Sequence, residues 1–383
     1  MTLSKRQTET CEIITTEQHL SEVVAIMEQQ TELAVDLEMD SLHHYKEKVC
    51  LIQVSTRRES WLIDPLRLKN LSSLAAPLAN PGILIVMHGA DYDIRSLHRD
   101  FGITVNRLFD TMIASRFLGI SEFGLSALLK THFGIELNKK YQKADWSKRP
   151  LSSEMCEYAI ADTSYLLPLY DQIRQNIEVK GRITWLEEEC DLICSARVTE
   201  KEGALFLACK GAGKLKGRSL AILEELLQAR DRQARELDRP PFKVISAETL
   251  LEIAEKRPRA ISELAGIKGM TPGQIQRLGD SILTAVAFGL AVPEDELPRF
   301  PKKVRHEPVN GAKEKLKRLK QWRDQQSAIF QLDPGVVAPN WLLESIAEAN
   351  LSSIDDFNKI SGMRMWQKKL YGKDILEELA IGC

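Results

Sequence analysis

No cysteine pair in this chain is spaced Cys-x-x-Cys, and the seven cysteines (Cys11, Cys50, Cys156, Cys190, Cys194, Cys209 and Cys383) are odd in number. That argues against a disulfide framework and for isolated reduced thiols of a cytosolic protein. Cys190 and Cys194 lie four apart, but no nearby His or Cys pair completes a zinc site. No apolar run approaches the length of a membrane helix. Met1 to Cys11 is polar and carries no signal-peptide core, so a cytoplasmic location is expected. The glycine-rich run Gly211-Ala212-Gly213-Lys214-Leu215-Lys216-Gly217 is not followed by Gly-Lys-Ser/Thr, which excludes a phosphate-binding loop of that type. The seven histidines are scattered, and no Ser-His-Asp or Cys-His set stands out.

What is present is a 383-residue chain with the apolar and charged fractions of an ordinary globular protein, long enough for two or three domains. The near-zero net charge hides an asymmetry. Met1–Cys190 holds 21 Lys+Arg against 27 Asp+Glu; the whole chain holds 52 and 54, which leaves 31 against 27 for the remainder. Lys210, Lys214, Lys216 and Arg218 have no acid among them. Arg299 to Asp324 carries ten basic residues against Glu307, Glu314 and Asp324. Solvated linkers often look like this; contact with a polyanion is the functional alternative.

The first half reads as mixed α/β. Thr31–Leu37, Val49–Thr56, Ser60–Ile63 and Ile83–Met87 are short β-branched runs, and Asp93–Asp100, Arg107–Phe117, Leu125–Phe133 and Ser152–Gln175 have helical patterns. Ser152, just after Pro150, reads as an N-cap. From about Gly213 only helical patterns remain, and they repeat. At an offset of 93 residues, Arg230/Arg323, Asp231/Asp324, Leu250/Leu343, Ile253/Ile346, Ala254/Ala347, Glu255/Glu348, Ile261/Ile354, Ile267/Ile360, Gly269/Gly362 and Met270/Met363 are identical. This predicts two copies of one small helical domain, near Lys216–Ala291 and Ala312–Ala380, joined by the Pro-rich basic stretch Pro293–Gly311.

Chemistry enters with carboxylates. Asp36 and Glu38 are two apart on a predicted strand, so both side chains leave one face while Val35 and Leu37 point the other way. Two adjacent carboxylates repel, and a hard divalent cation such as Mg²⁺ or Mn²⁺ resolves the repulsion. Tyr158 and Asp162 are four apart on a predicted helix and share a face. Asp93 sits where a helix opens, a favourable place for a carboxylate in any case. Each pair alone is ordinary. Together, four carboxylates are the number that holds two cations about 3.5–4 Å apart, the arrangement that hydrolyses phosphodiesters.

In sequence order these residues resemble the DEDD-superfamily 3′–5′ exonucleases of the tyrosine subclass, and the bacterial ribonuclease D family in particular. The first motif is Val35-Asp36-Leu37-Glu38-Met39-Asp40-Ser41-Leu42-His43-His44-Tyr45, with Val49-Cys50-Leu51-Ile52-Gln53-Val54 after it. The second is His88-Gly89-Ala90-Asp91-Tyr92-Asp93-Ile94, where the aspartate five after the histidine is the one that matches. The third is Tyr158-Ala159-Ile160-Ala161-Asp162, preceded by Asp145-Trp146-Ser147-Lys148-Arg149-Pro150-Leu151. Ala144 stands where many relatives have serine. The two helical copies resemble HRDC domains, the nucleic-acid-binding modules also found in RecQ-type helicases.

The resemblance implies an α/β exonuclease domain over residues 1–209, a ribonuclease H-like mixed sheet flanked by helices, followed by two small all-α HRDC-like domains over 213–292 and 310–383. It implies Asp36, Glu38, Asp93 and Asp162 as metal ligands of two divalent cations (Mg²⁺ or Mn²⁺), converging in a cleft at the edge of the sheet, and Tyr158 as the residue that orients the attacking water. It implies a monomeric 3′–5′ exoribonuclease that trims transfer RNA precursors and other structured RNA, with the basic stretches and helical copies holding substrate. A 3′–5′ DNA exonuclease is the enzymatic alternative; a non-catalytic RNA-binding protein on a nuclease fold is the other.

Overall fold

The computed structural model describes residues 13–198, 203–301 and 311–380. Two compact units emerge: residues 13–39, 49–198 and 311–380 form one, and residues 40–48 with 203–301 form the other.

The first unit is built on six strands, β1 (Ile13–Ile14), β2 (Glu32–Met39), β3 (Val49–Ser55), β4 (Ser60–Ile63), β5 (Leu84–Met87) and β6 (Leu108–Asp110), in the order β1-β4-β3-β2-β5-β6. The sheet is mixed: β3 is antiparallel to β2 and β4, while β5 runs parallel to β2 and β6. Its helices are α1 (Glu17–Met27), α2 (Ala75–Ala79), α3 (Asp91–Phe101), α4 (Thr111–Phe117), α5 (Leu125–Phe133), α6 (Ser153–Ser164), α7 (Leu166–Val179) and α8 (Ile183–Ser195). Leu33, Val35 and Leu37 of β2 are buried in the main apolar core. That leaves the opposite face of β2 to Asp36 and Glu38, as strand alternation requires.

Two predicted helices resolve differently. Within Arg107–Phe117, Leu108–Asp110 is an edge strand and only Thr111–Phe117 is helical. The periodicity of three buried residues cannot separate the two states; pairing with β5 decides it. The segment Ser152–Gln175 is two helices. Tyr165, at φ −105° and ψ −3°, interrupts it between α6 and α7. Ser152 does cap α6, accepting from the Met155 N–H at 3.3 Å.

The second unit contains α9 (Arg218–Glu236), α10 (Pro241–Val244), α11 (Ala247–Lys256), α12 (Ile261–Leu264) and α13 (Pro272–Ala291) around its own apolar core. In the first unit, α14 (Ala312–Phe330), α15 (Pro334–Val337), α16 (Asn340–Glu348) and α17 (Met365–Ala380) repeat this order. The predicted equivalences hold in detail. Leu250/Leu343, Ile253/Ile346 and Ile267/Ile360 are buried at matching places. Gly269 and Gly362 both adopt the left-handed conformation, at φ +89° and +79°, which a side chain would strain.

The second copy is bolted to α8. Trp366 stacks on Trp185 with ring centroids 4.4 Å apart. Arg364 makes a two-pronged pair with Glu189, at 2.7 and 3.0 Å. Glu188 accepts from the N–H groups of Met365 and Trp366 at 2.6 and 3.0 Å, capping the start of α17.

Candidate active site

Asp36 lies on β2, a strand paired on both sides, so the site stands over the middle of the sheet rather than at its edge. Helix α6 packs across the same face. Its Cys156, Ala159 and Thr163 are buried, and the Thr163 hydroxyl meets that of Ser55 on β3 at 2.7 Å. This seating aims the next face of α6, with Tyr158 and Asp162 one turn apart, at the two carboxylates of β2. One carboxylate oxygen from each of Asp36, Glu38 and Asp162 falls within 4.8 Å of the others. All three are half-buried, open enough to admit a ligand.

Asp93, in the first turn of α3, is not one of these three but stands near enough to add its charge to Asp36 and Glu38. A residue that motif reasoning did not single out sets its position. Asp110, fully buried at the end of β6, accepts from the N–H groups of Gly89 and Ala90 at 3.0 and 2.7 Å. It also accepts from Met112 and Ile113 at 2.8 and 3.2 Å, as the N-cap of α4. One carboxylate thus ties the turn before α3 to the start of α4. An Asp before a helical run is a cap signal that sequence does carry. His88 is held by the Thr111 hydroxyl at 2.9 Å, and burial lowers its pKa against the charge of Asp110. It is a neutral structural hydrogen-bonder.

The ring of Tyr158 is fixed by Tyr141 and Trp146, with centroids 6.1 and 5.9 Å away. Its hydroxyl lies near enough to Asp162 for each to shift the other's pKa. Burial first, then the charges of Asp162, Glu38 and Asp36, push the phenol pKa further up. Tyr158 therefore keeps its proton and acts as a donor. The loop carrying Trp146 is pinned by Arg149, which binds Asp64 at 2.6 and 2.8 Å and the Cys50 carbonyl at 2.7 Å.

Burial, reinforced by mutual repulsion, raises the carboxylates. Asp36 is well above its ordinary value, through burial and then Asp93, Asp162 and Glu38. Glu38 is pushed up to about 9 by burial, Asp162 and Asp93. Asp93 rises to about 7 through burial, Asp110 and Asp91. Asp162 rises to about 7 through burial, partly offset by the Tyr158 hydroxyl. A set of carboxylates that cannot all ionise side by side fits hard divalent cations, whose charge removes the repulsion. Asp36, Glu38, Asp93 and Asp162 are the residues that would hold them.

This electrostatics has a measurable consequence. Values above the ordinary 3.8 and 4.5 mean that the fold retains protons which the unfolded chain has released. In chelator, stability contributed by these groups is full below about pH 4 and is lost as pH rises through 7 and towards 9. Melting temperatures with EDTA should fall across that window, and Mg²⁺ or Mn²⁺ should restore them more at pH 8.5 than at pH 5.5. A melting temperature that is flat in pH with EDTA would contradict the cluster.

Residues 11–178 match the family model described as 3'-5' exonuclease, and residues 219–286 and 313–379 each match the HRDC domain. The chain is 37% identical to exosome complex component 10 of Rattus norvegicus over 240 residues, 60% of this chain. It spans 27% of that relative's length. Among solved structures, the catalytic core of RRP6 from Trypanosoma brucei is 32% identical with a TM-score of 0.64, covering 74% of this chain and 81% of that one. RNase D of Escherichia coli, described as an exoribonuclease involved in structured RNA processing, is 25% identical with a TM-score of 0.72. That match covers 97% of this chain and 99% of the other.

Proposed function

We propose that this chain, which belongs to the 3′–5′ exonuclease family of ribonuclease D and the RRP6 catalytic core, is a 3′–5′ exoribonuclease. The observation that carries the reading is the approach of Asp36, Glu38 and Asp162 to within 4.8 Å, with Asp93 adding its charge and Tyr158 beside Asp162. Divalent cations are the cofactor class of this family. Bound by Asp36, Glu38, Asp93 and Asp162, two such ions would supply an ionised nucleophilic water and neutralise the charge on the phosphate and leaving oxygen. Tyr158 would orient that water through its hydroxyl proton. The water oxygen forms a bond to the terminal phosphorus, the bond to the 3′ oxygen breaks, and that oxygen takes a proton. A nucleoside 5′-monophosphate leaves, and the RNA is one nucleotide shorter with a free 3′ hydroxyl.

The domain division on which this reading rests is 1–209 for the nuclease and 213–292 and 310–383 for the helical copies. Transfer RNA precursors and other structured RNA are the substrates it assigns, acted on by a cytoplasmic monomer. Its support is the exposed basic residues on or beside each helical copy and the isolated thiols. Lys210, Lys214 and Lys216 are exposed, as are Arg299, Lys313 and Lys317. Arg218 is committed elsewhere, to the carbonyls of Leu290 and Val292 and to Glu294. Lys302, Lys303 and Arg305 lie outside the described residues.

Removing everything after Cys209 would strip Trp366 from Trp185, so neutralisation is the cleaner probe than truncation. Lys210, Lys214 and Lys216 changed together to Ala should weaken binding to precursor transfer RNA and flatten its salt dependence by about 0.7–0.9 of a log unit per lost phosphate contact. Hydrolysis of a short oligonucleotide should hold. Unchanged affinity and salt slope would leave this surface a protein contact. The reading as a whole is tested by offering single-stranded RNA, single-stranded DNA and precursor transfer RNA side by side, with Mg²⁺ or Mn²⁺ and with chelator. RNA should be shortened from its 3′ end in metal alone. Preference for DNA would favour the alternative exonuclease, and no hydrolysis of any substrate would favour a binding protein.

A further inference from the structure

Gln53 is fully buried in β3, and neither its Nε2 nor its Oε1 has a hydrogen-bond partner among the described residues. Leaving a buried amide unsatisfied is costly, because the group loses its hydrogen bonds to water and gains none in return. A side chain of that size in a strand interior would ordinarily be apolar. Its place explains the exception. Gln53 is the residue directly opposite Asp36 in the antiparallel β2–β3 pair. Directly opposed side chains leave the same face, with Cβ atoms about 4.5–5.5 Å apart. Ser55, two residues along the same face, is already occupied by Thr163 and Ser60.

Asp36 has the complementary need. An ionised carboxylate offers about four acceptor sites. The backbone N–H of Leu37 favours the ionised form of Asp36 only weakly against burial and the neighbouring carboxylates. The remaining sites must be shared between cations and donors, and the Gln53 amide is the uncommitted donor opposite it.

We propose that Gln53 is a positioning residue: when a divalent cation is bound, its Nε2–H, unpartnered without the cation, donates to the Asp36 carboxylate opposite it and fixes that carboxylate in the orientation that binds the cation. The proposal rests on the reading of Asp36 as a metal ligand. Residues that orient a metal-binding side chain in this way typically account for about 10–100-fold in metal affinity.

The test is Mn²⁺ binding to the full chain by calorimetry, alongside melting temperatures in EDTA. Gln53→Met keeps the volume and removes the amide. It should weaken Mn²⁺ binding about 10–100-fold, while the melting temperature in EDTA stays equal or rises, because the unsatisfied polar atoms are gone. Gln53→Asn keeps the donor and should bind Mn²⁺ more tightly than Gln53→Met. Ser55→Ala, on the same face, should lower the melting temperature and leave Mn²⁺ affinity unchanged. Mn²⁺ affinity of Gln53→Met within twofold of the unaltered chain would overturn the proposal. So would a Gln53→Met protein that melts far lower in EDTA or fails to fold, since the amide would then be satisfied by the fold itself. Failure of the unaltered chain to bind Mn²⁺ would instead remove the metal site, and this proposal with it.

Discussion

Asp36→Asn is expected to abolish hydrolysis while leaving the fold intact or more stable. Asp36 is the carboxylate that the other three surround: Asp93, Asp162 and Glu38 each raise its pKa beyond what burial alone does. Removing its charge would take away the centre of the proposed cation site. Loss of a single stabilising donor in an active site costs about 10²–10³-fold. Loss of the central ligand should exceed that and bring turnover to background. The same substitution relieves repulsion in the absence of metal, so the melting temperature in EDTA should rise, most clearly above pH 7. Loss of activity with a lowered melting temperature would point to a damaged fold instead. Activity within tenfold of the unaltered chain would remove Asp36 from the site.

Tyr158→Phe carries the second large effect, and it separates chemistry from binding. The substitution keeps the ring between Tyr141 and Trp146 and deletes only the hydroxyl beside Asp162. Because its surroundings keep the phenol protonated, the proposed role of Tyr158 is to position the water rather than to take its proton. Turnover should fall about 10²–10⁴-fold, with RNA affinity and Mn²⁺ affinity nearly unchanged. Single-turnover assays together with equilibrium binding would read both. Equal turnover in the Phe variant would refute the assignment; a parallel loss of Mn²⁺ affinity would make Tyr158 part of the metal site.

The proximity of the candidate site residues was legible in part because local periodicity pairs them. A strand puts Asp36 and Glu38 on one face, and a helix puts Tyr158 and Asp162 on one face, whatever the rest of the chain does. The helical repeat was legible for a similar reason: ten identities at one offset include Gly269 and Gly362, whose left-handed backbone no other residue type adopts so readily.

What could not be read depends on partners distant in sequence. Leu108–Asp110 is a strand because β5 offers it an edge. Asp110 is tied to the turn at Gly89 and Ala90 across about twenty residues. Gln53 acquires its meaning only when register places it opposite Asp36. The seating of the second helical copy on α8 depends on Glu188 and Glu189 finding the start of α17, 177 and 175 residues away. In the sequence those two acids look like part of a solvated face.

The central claim, metal-dependent hydrolysis from the 3′ end, is tested most directly with RNA labelled on its 3′-terminal nucleotide. Incubated with the full chain and Mg²⁺ or Mn²⁺, it should release the label at once as a nucleoside 5′-monophosphate, and chelator should prevent the release. Label appearing first in longer fragments, or released equally in chelator, would contradict the account.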